Sequence, residues 1–261
     1  MLMVEAHERN MKLRLANDGF GLAPAQKALS DAIYALGLPP GAARQSRPFV
    51  TISRQPATGA DTLPARLALL LNQDDQGEWS VWDHQLIEKV SAESGIAKRI
   101  LDMLEEQPDS WLQELADGYV IGQERGTAAE FCVYKRVCVA IRALATAGNA
   151  IIVGRGGMFV TDGIAGGFRV RVVAPMDYRV RRMAAEFNLP TWEAARRVAE
   201  VDQIRDGFFH RYWPGKVIVP EAFAMTLNAA DMSVDEMVQS IVPAIHARES
   251  ARLNQGFLRL A

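Results

Sequence analysis

Ala150-Ile151-Ile152-Val153-Gly154-Arg155-Gly156-Gly157 is the stretch on which the fold turns: four apolar residues, then three glycines around one arginine. The apolar run reads as a buried strand, and glycines directly after it let the backbone turn sharply and approach a ligand. Arg155 then stands at the carboxyl end of that strand, where open parallel sheets bind their ligands.

Working outward, Phe49-Val50-Thr51-Ile52 is a second apolar run, followed by a loop with Pro56, Thr58 and Gly59 and a helix over 63–71. Pro64 is compatible with that helix because the first turn needs no internal N–H donor. A short strand over 79–82 ends at Asp83, and helical patterns follow over 84–94, 97–106, 109–116 and 127–146. Beyond the glycine turn, Phe168 to Ala174 is a strand, Tyr178, Val180 and Met183 mark a helix, and Thr191 to Tyr212 is a longer one. Phe223 to Leu227 is the last strand, and a helix over 233–246 opens with Ser233, Asp235 and Glu236, acidic where the helix dipole is positive. Strands alternating with helices predict an α/β fold of three layers, a mostly parallel sheet covered on both faces. Leu29, Ile33 and Leu36 recur at helical spacing before Gly37 and Pro39-Pro40. Residues 1–45 thus read as an N-terminal helical appendage with its linker (39–47), and residues 46–250 as the main domain. The appended helix is a candidate contact for a second copy of the chain.

The 261 residues are ample for a core without staples, and neither Cys132 and Cys138 nor His7, His84, His210 and His246 show disulfide or metal-ligand patterns. A net charge of -2 excludes a general attraction to nucleic acid or anionic membrane. No basic leader with an apolar core and no membrane-length apolar run is present, which predicts a cytoplasmic protein. Positive charge is mostly arginine, 23 against 6 lysines. Arginine's rigid fork suits bidentate contact with phosphate oxygens.

The turn after the first strand is Ser53-Arg54-Gln55-Pro56-Ala57-Thr58-Gly59-Ala60-Asp61-Thr62. A phosphate loop needs small residues, so that successive N–H groups face the anion, and then a helix N-terminus. Thr58, Gly59 and Ala60 are small, and Thr62 offers a hydroxyl. No lysine lies between Lys27 and Lys89, however, and Asp61 stands where positive charge is wanted. Asp61 would either leave bound phosphates unopposed, by turning away or through a Mg2+ ion between them, or cap its own helix.

Residues 154–211 carry ten of the arginines. Arg179 and Arg182 share a helix face, whereas Arg196 and Arg197, beside Glu193 and Glu200, read as helix-surface ion pairs. Arg169 and Arg171 alternate along a strand. Phosphoryl transfer needs positive charge over the moving group, commonly brought by a closing lid.

Together these landmarks resemble the cytidylate kinase-like family of nucleoside monophosphate kinases. The matching elements, in order, are Val50-Thr51-Ile52-Ser53-Arg54, Asp83-His84-Gln85-Leu86-Ile87 and Val153-Gly154-Arg155-Gly156. Ala174-Pro175 with Tyr178, Arg179, Val180 and Arg182 comes next, then Asp202-Gln203-Ile204-Arg205 with Phe208, Phe209, Arg211 and Tyr212, and last Leu227-Asn228. The resemblance implies a P-loop kinase fold with a helical arm for the nucleoside monophosphate near 83–125 and a lid near 186–213. It implies transfer of the γ-phosphoryl of ATP, with Mg2+, to a nucleotide or another small phosphorylated metabolite. Arg54, Thr58, Gly59, Ala60, Thr62, Asp83, Gly154, Arg155 and Gly156 would bind nucleotide, Arg155 holding the acceptor's phosphate. Arg179, Arg182, Arg205 and Arg211 would be the catalytic arginines that neutralise the phosphoryl in flight. Ala57 and Ala60 replace glycines, and Asp61 replaces a basic residue, so the phosphate loop is degenerate. Two readings follow, a working phosphotransferase and an inactive nucleotide-binding or regulatory module on the same fold.

Overall fold

Each apolar run becomes a strand. A computed structural model describes residues 22–36, 47–74, 78–92, 95–96 and 128–260. In it β1 (Phe49–Arg54), β2 (Ser80–Trp82), β3 (Ala150–Val153), β4 (Gly167–Val173) and β5 (Met225–Asn228) form one sheet. Every pairing is parallel, and the order across the sheet is β2-β3-β1-β4-β5. The chain leaves β1 to one side for β2 and β3, then crosses to the other for β4 and β5. The carboxyl ends of β1 and β3 therefore flank the crevice where such sheets hold ligands.

The helices are α1 (Leu22–Leu36), α2 (Leu63–Asp74), α3 (His84–Ser91), α4 (Ala128–Ala147), the short α5 (Gly157–Val160), α6 (Met176–Phe187), α7 (Thr191–Tyr212) and α8 (Val234–Leu260). One face of the sheet, through Val50, Ile52, Ile151, Val170 and Val172, packs on Leu63, Leu67 and Leu71 of α2 and on Met237, Ile241 and Ile245 of α8. The opposite face, through Phe49, Trp82 and Ile152, packs on α3 and α4, with Ile87, Val90, Val137 and Ile141 fully enclosed. This is the expected three-layer α/β arrangement, and the strand limits move by a residue or two, as ladder ends do.

The helix expected around Leu29 begins at Leu22. Ala25, Leu29, Ala32 and Ile33 are buried in the same core as α3 and α4. The last helix, expected to stop at His246, runs from Val234 to Leu260, through Pro243 and past Gly256. Its start is a capping box: the Ser233 N–H and hydroxyl both donate to Glu236, whose own N–H donates to the Ser233 hydroxyl. The helices expected over 97–106 and 109–116, most of the arm near 83–125, the first 21 residues and the linker up to Ser46 lie outside the described residues. No described helix is long and apolar enough to cross a membrane.

Candidate functional site

The turn between β1 and α2 is built from small residues held in unusual backbone conformations. Ala57 (φ 57°) and Gly59 (φ 75°) are both left-handed. Gln55 locks the turn to the neighbouring strand: its N–H donates to Val172 O (2.9 Å), and its side-chain oxygen accepts from Ala174 N–H (3.0 Å). The Thr58 hydroxyl donates to Gln55 O (3.2 Å), and both Thr58 and Ala60 are buried. Thr62 is exposed at the entrance to α2, its carbonyl accepting from Arg66 N–H.

Arginines crowd this turn. Arg54 reaches back across it, donating to Ala60 O (3.3 Å) and to Asp61 Oδ1 (2.7 Å). Asp61 is therefore an ion-pair partner of Arg54, an arrangement that neither sequence reading of this carboxylate included. Arg205, on α7, donates to the carbonyl of Arg54. Burial above all, and then the Arg54 charge, lower its pKa to about 10. Arg182, on α6, lies over Gly59 so closely that a Cβ there would stand 2.3 Å from the guanidinium carbon. The φ is what asks for glycine here; the exposed Arg182 side chain would have to move aside for a Cβ.

Behind them Arg179 is 6% exposed, and its Nη1 donates to both oxygens of Asp202 on α7 (3.1 and 2.8 Å). That pair, with Val180 and Met183 packed on Ala194 and Val198, holds α6 and α7 together. The segment expected as a lid is therefore a short turn followed by one 22-residue helix.

The turn after β3 is different. Gly154, Arg155 and Gly156 are all left-handed (φ 77°, 50° and 68°). Two of the three pay nothing for this, but Arg155 carries a Cβ, which makes the conformation cost about 1 kcal/mol. A local bond from Gly157 N–H to Gly154 O (3.0 Å) closes the turn, and side chains distant in sequence brace it. The Tyr134 hydroxyl donates to Arg155 O (3.1 Å) and accepts from Trp213 Nε1 (2.9 Å). Burial raises the Tyr134 pKa well above 10, so the hydroxyl keeps its proton. A Cβ on Gly156 would meet the Tyr134 oxygen at 2.9 Å and Trp213 Nε1 at 3.1 Å. The Arg155 guanidinium pairs with Glu88 of α3 (2.5 Å) and lies over the Phe208 ring, 5.7 Å from its centre.

Asp83 caps α3, accepting from Leu86 N–H (2.8 Å), so its side chain fixes the start of the helix that presents Glu88. His84, in the first turn, is held below its usual pKa of 6.5, first by burial and then by Arg155, against the carboxylates of Asp83 and Glu88. Arg54 adds a smaller push in the same direction, so His84 feels charge from both turns.

The structure therefore gathers Arg54, Thr58, Gly59, Ala60, Arg182 and Arg205 at one turn, with Arg179 behind them, and Gly154, Arg155 and Gly156 at the next. Arg211 faces elsewhere, toward Glu130 in the first turn of α4 (3.6 Å). Arg169 pairs with Asp162, and Arg171 lies over Phe223. Arg196 and Arg197 form the expected helix-surface pairs with Glu200 and Glu193. Sequence reading missed Glu88, Tyr134 and Trp213. Only Glu88 left a signal, four residues after His84 and hence on the same helix face. Nothing local marks Tyr134 or Trp213.

Three of these arginines share a further property. The Nε atoms of Arg155, Arg179 and Arg211 are buried and have no hydrogen-bond partner among the described residues. Buried donors are nearly always satisfied in folded proteins, by water where no protein group serves. Metal chelation finds no support: no group of three or more His, Cys, Asp or Glu among the described residues is placed to hold an ion.

Residues 49–231 match the cytidylate kinase-like family. An uncharacterized protein from Eubacterium ventriosum ATCC 27560, known from its crystal structure, superposes with a TM-score of 0.58 at 15% sequence identity. The alignment covers 77% of this chain and 99% of that one, and it speaks to the fold alone. No curated protein matches the chain.

Proposed function

This chain belongs to the cytidylate kinase-like family, and on that premise we propose that it is an ATP-dependent phosphotransferase whose acceptor is a nucleoside monophosphate. The observation that carries the reading is the gathering of Arg54, Arg182 and Arg205 at one turn and of Arg155 at the next, at the carboxyl ends of adjacent strands. Phosphate oxygens are the chemistry that suits guanidinium donors. The turn at 55–62, with Arg54, Arg182 and Arg205 around it, fits the donor's polyphosphate. Arg155 fits the acceptor's phosphate, once Glu88 yields its place.

The residues do not fit an ion held by the protein alone. Asp61 is engaged with Arg54, and Thr62 is a single hydroxyl. In this reading Mg2+ arrives with ATP, and the chain's own part is to bind, orient and screen charge. Arg205 and Arg182 lie on the helices flanking the first turn, placed to stabilise negative charge that develops between donor and acceptor. Asp202 orients Arg179 for the same purpose.

One observation favours the second reading, an inactive nucleotide-binding module. The Arg54 guanidinium bridges Ala60 O and Asp61 across the turn, and Arg182 covers Gly59, so the space over the loop is filled by the protein's own cations. Calorimetric titration of ATP and of CMP, with and without Mg2+, tests binding, and phosphorus NMR of the mixture tests transfer. Binding of both with formation of the diphosphate supports the kinase. Binding without transfer supports the module, and no binding of either ligand overturns both.

A further inference from the structure

We propose that Tyr134 and Trp213 are positioning residues that hold Arg155 in its binding conformation and tie it to the end of α7. The inference rests on the reading of Arg155 as the acceptor's anion contact.

The geometry is a relay. Trp213 immediately follows α7 and donates through Nε1 to the Tyr134 oxygen, and Tyr134 donates onward to the carbonyl of Arg155. Both side chains are almost fully enclosed. Arg155 has φ 50°, a conformation that a residue with a Cβ keeps only when its surroundings impose it. The turn itself is closed by Gly157 N–H donating to Gly154 O (3.0 Å), with Arg155 and Gly156 between them. The Tyr134 hydroxyl braces it from outside by fixing the direction of the Arg155 carbonyl, and Gly156 leaves the room that this hydroxyl occupies. Released from the hydroxyl, the turn would loosen, and the Arg155 guanidinium would swing away from Glu88 and from the ring of Phe208.

The same relay reaches the other turn. α7 carries Arg205, which donates to Arg54, and one and two turns later Phe208 and Tyr212 pack on the Tyr134 ring, at 5.2 and 4.1 Å between centres. One rigid helix therefore touches the phosphate-loop position at Arg205 and the acceptor turn at Trp213. A shift of α7 on filling one turn is transmitted to Arg155 by a hydrogen bond and not by loose packing alone. Neither Tyr134 nor Trp213 would touch substrate.

Tyr134→Phe removes the hydroxyl and keeps the ring. The expected result is about tenfold weaker CMP binding, the size of a lost buried hydrogen-bond network, with ATP affinity unchanged. In a crystal structure of this variant Arg155 should have left the left-handed region or lost its pair with Glu88. Trp213→Phe, which removes only the first donor, should give a smaller loss in the same direction and serves if Tyr134→Phe does not fold. In an Arg155→Ala background, Tyr134→Phe should cost no further CMP affinity. If Arg155 keeps its φ and its Glu88 pair in folded Tyr134→Phe, if Trp213→Phe leaves CMP affinity unchanged, or if Tyr134→Phe weakens CMP equally with and without Arg155, the relay is wrong. If Arg155→Ala leaves CMP binding unchanged, it is the acceptor reading that fails, and the crystal structure still decides the relay.

Discussion

The turns after β1 and β3 lie side by side, on strands paired through Val50–Ile151, Thr51–Ile152 and Ile52–Val153, yet they hold their charge in opposite ways. In the first, Arg54 and Asp61 are seven residues apart and neutralise each other within one loop. In the second, Arg155 is held by Glu88, Tyr134 and Phe208, which come from α3, α4 and α7. A locally paired charge is released by moving one loop. A charge held from three elements keeps its backbone and ring contacts when one partner, Glu88, leaves. On the proposed reading an acceptor phosphate displaces only that carboxylate, whereas donor phosphates have to open the first loop itself.

The largest effect should come from the second turn. Arg155→Ala should weaken CMP binding about 10- to 150-fold, the loss of a charge-assisted contact of about 1.5–3 kcal/mol, read by calorimetry. An unchanged affinity would break the comparison at its root.

Next is Gly59→Ala. Its φ of 75° resists a Cβ, so urea unfolding should show a loss of about 1–2 kcal/mol. ATP affinity should change as well, because Arg182 is pushed off the loop. Unchanged stability would mean that the loop is already open in solution.

Replacing Asp61 with Asn should free Arg54 and tighten ATP binding by several-fold, for about 1 kcal/mol or less from a partly exposed pair. The opposite result, loss of both ATP binding and turnover, would show Asp61 serving a metal brought with the nucleotide. The first turn would then be functional as it stands.

The smallest effect concerns His84, which feels both turns. Its folded pKa lies below 6.5, so as pH falls through 6.5 the unfolded chain takes up a proton that the folded chain refuses. Stability should therefore fall on acidification across that window, level off below the folded pKa, and be fully present above about pH 7. His84→Gln should remove this part of the slope in urea midpoints measured between pH 5 and pH 7.5. A slope unaltered by the substitution would place His84 in water and away from Arg155.

The sequence by itself determined the strands, the parallel sheet and the two turns at its carboxyl edge. Apolar runs and glycines act over a few residues, and right-handed crossovers leave few ways to arrange five such strands. It also pointed to Arg54, Arg155, Arg179, Arg182 and Arg205, because arginine chemistry and placement after a strand or on one helix face are legible locally. Only the tertiary structure decided their partners. Asp61 was read as a cap or a misplaced charge, and it became the partner of Arg54 because the β1–α2 turn folds the two together. Arg211 was grouped with the catalytic arginines, and it faces Glu130 because six residues of helix rotate and lift it away from Arg205. Tyr134 and Trp213 are 79 residues apart and carry no motif. Their hydroxyl and indole meet under Arg155 only because α4 and the end of α7 pack on the same face of the sheet, and no pattern read along the chain encodes a distance across it.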